Sequence, residues 1–126
     1  MTQEEASGSA VEDPAEAIKS RLRADLGSAM GAKDAVRVRA LRATIAAIDD
    51  AQAVPVNDQH LRYVVRAFGD RSAEVPRLGL TAEDVTRVLT YEAAARSSAA
   101  AEMERLHQTG RARELHEEAA IIASYL

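Results

Sequence analysis

Residues 18–52 read IKSRLRADLGSAMGAKDAVRVRALRATIAAIDDAQ, and this stretch decides the fold. Ile18, Leu22, Leu26, Ala29 and Met30 recur at three- and four-residue spacing, which puts them on one side of an α-helix. Gly31 supplies a stop. Asp34 caps a second helix, whose stripe is Val38, Leu41, Ile45 and Ile48, with Val36 near its start. The link between the two is so short that they must fold back as an antiparallel hairpin.

On the N-terminal side, Asp13 is a fitting N-cap, Pro14 suits the first helical position, and Glu16 completes a capping-box pattern. The first helix is thus expected over 14–30 and the second over 34–52. Residues 1–12 (MTQEEASGSAVE) are small, polar and acidic, and are expected to form a disordered tail ahead of a single domain over 13–126.

On the C-terminal side, a connector holds Pro55, Gly69, Pro76 and Gly79. Within it Leu61, Val64, Val65 and Phe68 predict a short extra amphipathic helix over 58–68. Thr81 with Asp84 repeats the capping pattern. Val85, Val88, Leu89, Ala95, Ala99, Met103 and Leu106 predict a long helix over 82–108, which Gly110 ends. A last helix over 111–125 carries Leu115, Ala119 and Ile122. The expected fold is all-α: two long antiparallel helical hairpins in a small bundle.

Composition agrees. The chain has 126 residues, of which 27 are alanine, while Leu, Ile, Val and Phe together give 26. Alanine favours helix over strand, and its small side chain builds a thin core between closely approaching helices. Aromatics are 3%, which argues against a base-stacking platform. The absence of cysteine removes disulfides, thiolate metal sites and cysteine nucleophiles. No apolar run approaches the ~20 residues of a membrane span. The acidic N-terminus is unlike a signal peptide, so a cytoplasmic location is the expectation.

Charge is uneven. The net charge is −4, yet residues 19–42 carry seven bases against Asp25 and Asp34. Lys33, Arg37, Arg39 and Arg42 are the candidate nucleic-acid contacts, because guanidinium and ammonium groups meet phosphate oxygens well. Arg37 and Arg39 lie ~200° apart on a helix, so all four cannot share one surface. The competing expectation is that Arg39 or Arg42 pairs with an acid on the third helix.

No catalytic residue, cofactor or metal ligand is assigned. His60, His107 and His116 lack ligand spacing and read as surface residues. Glu102, Glu104, Glu114, Glu117 and Glu118 are expected to face solvent. Ser97 and Ser98 lack a nucleophile elbow and read as helix-packing residues.

These motifs, taken in order, resemble those of the GatB/YqeY domain family. Ala29, Met30, Ala32, Lys33 and Asp34 match its "A-M-x-A-K-D". Leu41, Arg42, Ala46, Ala47 and Ile48 match "L-R-x-x-x-A-A-I". Leu80–Leu89 resembles "L-T-x-E-x-V-x-x-V-L", and Glu92 with Arg96 matches "E-x-x-x-R". Gly110, Arg111, Leu115, Glu118 and Tyr125–Leu126 match its closing motif. The likeness covers roughly 14–54 and 80–126. It implies a non-catalytic helical module linked to tRNA-dependent amidotransferases, which are carbon–nitrogen ligases using glutamine as amide donor. The implied partners are tRNA or an amidotransferase or aminoacyl-tRNA synthetase component. The family's three-helix tail is expected to be lacking, and the connector over 55–79 reads as longer than in many members. A protein-interaction or self-assembling homo-oligomeric module is the alternative, and a small amide-transferring enzyme ranks last.

Overall fold

The computed structural model describes residues 13–53 and 78–126. They form four α-helices: α1 Pro14–Gly31, α2 Ala35–Gln52, α3 Ala82–Arg105 and α4 Thr109–Ala123. α1 packs on α2 and α3 on α4, giving two hairpins; α2 then lies against both α3 and α4. Among the described residues there is no strand, and no helix is long and apolar enough to cross a membrane. The acidic tail and the helix expected over 58–68 lie outside the described residues.

The caps form largely where the sequence places them. The Asp13 carboxylate accepts from Ala15 N at 3.0 Å, and Asp34 accepts from Arg37 N at 3.1 Å. Thr81 and Asp84 exchange reciprocal 3.0 Å bonds, closing a capping box. The Thr81 backbone N–H, donating to the Asp84 carboxylate, and then the Thr81 hydroxyl hold that carboxyl below its ordinary range. Glu16 leaves the capping role and turns to Lys19 and Gln52.

Both hairpins turn in the same way. Asp34 N donates to Ala29 O and Lys33 N to Met30 O, at 3.0 and 3.1 Å. Gln108 N donates to Met103 O and His107 N to Glu104 O, at 2.8 and 3.0 Å. Each is a Schellman turn, whose left-handed position usually holds glycine. Here it holds Lys33, at φ 58°, and His107, at φ 60°. Two expectations are corrected. The stop after α1 comes at Ala32, and the left-handed position is Lys33 rather than Gly31. The stop after α3 comes at Leu106, not near 108, while Gly110 lies in the first turn of α4.

The core joins Ile18 and Leu22 of α1, Leu41 and Ile48 of α2, Val85 and Leu89 of α3, and Ile122 of α4. Met30, Ala95 and Leu106 were expected inside but are exposed. The inner face of α3 runs instead through Ala93 to Ala100, a small-residue seam against α4. Ser97 and Ser98 were expected to pack against a helix, yet both are exposed.

Candidate functional site

Two inner stripes contain a charge. On α1, Ala15, Ile18, Lys19 and Leu22 are buried at i, i+3, i+4 and i+7; on α4, Leu115, Glu118, Ala119 and Ile122 follow the same spacing. A buried ion is tolerated only when neighbouring charges and hydrogen bonds replace its water.

Lys19 Nζ donates to Asp49 Oδ1 and Gln52 Oε1, each at 2.7 Å, and lies 3.2 Å from Glu16 Oε2. It thus ties the first turns of α1 to the last turn of α2. The Lys19 hydrogen bond, then that of Gln52, lowers the Glu16 pKa.

Glu118 sits where three helices converge. Arg39 Nε of α2 donates to Oε2 at 3.2 Å, and Arg96 Nε of α3 donates to Oε1 at 3.3 Å. Arg111 Nη1 of α4 stands 3.6 Å from Oε2. Arg96 also donates to the Glu92 carboxylate at 2.8 Å, and Arg39 and Arg111 both reach Glu114. This overturns the expectation that Glu118 faces solvent. Three guanidinium groups around one carboxylate compensate its lost hydration.

The four candidate cations therefore separate. Arg39 does pair within the chain, but with Glu114 and Glu118 of α4 rather than with the third helix. Arg37 lies 3.7 Å from Asp34, half-exposed, and lines a shallow hollow with Asp25 and Ser28. Arg42 is exposed and extends back over Met30, with Nη2 3.9 Å from Sδ. Lys33 is exposed in the turn beside Met30. Lys33 and Arg42 thus face water at one end of the first hairpin, while the half-exposed Arg39 is tied to Glu114 and Glu118.

Tyr125 ties the end of the second hairpin to α1. Its hydroxyl donates to Asp25 Oδ2, and the Arg21 guanidinium carbon lies 5.0 Å from its ring centre. Burial, reinforced by the Asp25 carboxylate, pushes its pKa up to about 12. His116 Nε2 meets Glu104 Oε2 at 3.0 Å across the second hairpin, with both side chains exposed. Among the described residues no group of three or more His, Cys, Asp or Glu side chains is placed to hold a metal ion.

A groove runs between α2 and α3. Its volume is about 500 Å³. Ala43, Ala46, Ala47 and Asp50 form one wall, and Arg87, Val88, Tyr91 and Glu92 the other. Tyr91 is 70% exposed. Neither this groove nor the burial of Lys19 and Glu118 was expected from the sequence. Helical spacing alone could have found Lys19 and Glu118. The groove joins two helices distant in sequence and had no local signal. No family model, no curated protein and no solved structure matches this chain.

Proposed function

We propose that the chain is a non-catalytic helical module of the GatB/YqeY type, working in the cytoplasm beside tRNA-dependent amide transfer. One observation carries the reading. Glu92, Arg96, Arg111 and Glu118, all residues on which the family likeness rests, meet in one ion-pair network between α3 and α4. Their shared role is to lock helices together, and the motif is then a signature of the scaffold rather than of a reaction.

The tRNA contact in this reading falls to Lys33 and Arg42, the two candidates whose charges point into water. Two phosphate contacts give an affinity that falls with salt at a log–log slope of roughly −1.4 to −1.8. Anisotropy titrations of labelled bulk tRNA at several salt concentrations measure it. Lys33→Asn, a residue that accepts the left-handed turn, combined with Arg42→Gln flattens the slope. Arg37→Gln has a smaller effect. No binding at low salt, or a slope indifferent to the double substitution, ends the tRNA reading.

The second reading, a protein-interaction module, is favoured by the open α2/α3 groove.

A further inference from the structure

We propose that the α2/α3 groove is the face on which two copies of this chain pair, related by a two-fold axis. The inference stands apart from tRNA binding. It deepens the interaction reading by naming the partner.

Three features of the groove argue for a second copy. First, the α2 wall presents Ala43, Ala46 and Ala47, and such small side chains let a helix approach closely. Second, the α3 wall raises Tyr91 well out of the surface beside Val88. Buried aromatic anchors of this kind dominate interface energies. Third, the two walls carry opposite charges suited to self-pairing. Asp50 of α2 is exposed and its carboxylate has no partner among the described residues. Arg87 of α3 is 73% exposed, and among the described residues its one ion-pair partner is the neighbouring Asp84. An exposed pair of that kind contributes little and exchanges readily.

A two-fold axis through the groove brings each Arg87 toward the other copy's Asp50, because an isologous contact presents the same patch twice. A partner of one charge sign would be favoured by one wall and repelled by the other. Glu92 adds no free charge, since it is held by Arg96 at 2.8 Å. Each Tyr91 would then lie over the alanine wall of its mate.

Sedimentation equilibrium of the full chain over a wide concentration range tests the proposal. Wild type is expected to show a monomer–dimer equilibrium. Asp50→Arg alone and Arg87→Glu alone each place like charges across the axis, and weaken the dimer roughly tenfold or more. The two single variants mixed together regain dimer, because each then supplies the charge the other needs. Circular dichroism confirms that every variant keeps its helix content.

The cysteine-free chain allows a second readout. In Ala46→Cys, thiol labelling slows as protein concentration rises if a second copy covers the groove. Slow labelling at every concentration means that the chain's own residues cover it, and overturns the proposal. A wild type that stays monomeric, or a dimer indifferent to both charge reversals, also overturns it.

Discussion

Arg39 and Glu118 stand 79 positions apart in sequence, yet Arg39 Nε donates to Glu118 Oε2 at 3.2 Å. That bond joins the first hairpin to the second. Its partners are unequal: the Arg39 side chain is 47% exposed and that of Glu118 only 5%. Removing the guanidinium leaves a carboxylate still held by Arg96. Removing the carboxylate leaves the guanidinium groups facing one another without it.

Glu118→Gln is therefore expected to destabilise far more than Arg39→Gln. Breaking a buried pair costs about 3–5 kcal/mol, whereas a half-exposed one is worth roughly 1 kcal/mol or less. Urea denaturation of both variants and their double gives the coupling. Equal losses would show that the network does not converge on Glu118.

Lys19→Met tests the second buried charge. It removes the ammonium from Asp49, Gln52 and Glu16, and is expected to cost about 1–3 kcal/mol. Glu16 then loses the first cause of its lowered pKa, so its titration moves up toward 4.5. The sign follows: a depressed carboxylate stabilises above its unfolded value and loses that contribution as acid protonates it. Lys19→Met should weaken the fall in stability on acidification. Carboxyl chemical shifts across a pH series report the Glu16 step directly.

The left-handed turn residues give a prediction of opposite sign. Replacing Lys33 or His107 by glycine removes the Cβ clash at positive φ, and each change is expected to stabilise by roughly 0.5–1 kcal/mol after glycine's entropy cost. Gly110→Ala should also stabilise, because Gly110 is helical and a Cβ there meets open space. Thermal melts decide it. A loss of stability on Gly110→Ala would return the turn to Gly110.

Tyr125 predicts alkaline behaviour. It holds its proton more tightly folded than unfolded, at about 12 against 10.0. Its contribution is full below the unfolded value and disappears as pH rises through the folded one. Denaturation midpoints should fall between these limits in wild type, and less so in Tyr125→Phe. Tyrosinate absorbance in the folded protein should lose its latest step in that variant.

Much of the fold was legible along the chain because its signals are local. Asp13, Asp34 and Thr81 mark helix starts through bonds to backbone a few residues away. Apolar spacing identifies the inner faces of α1, α2 and α4, Met30 at the end of α1 excepted. On α3, alanines on several sides leave no contrast between faces; Ala95 and Ala100 look alike in sequence, and only packing buries the second. The turns carry no such signal either, since glycine is the usual left-handed residue but is not required there. For the candidate cations, sequence established the charges and that they diverge, but not which of them was free.

The order of amino acids alone determined that this protein is helical, where most helices begin, and that its basic residues cluster early. Tertiary structure decided which charges are interior, which cations remain in water, and that an alanine wall and a tyrosine wall form one groove. The division has a simple cause. Helix formation depends on neighbours within about four positions, whereas a buried ion or a groove depends on side chains brought together from distant turns of the chain.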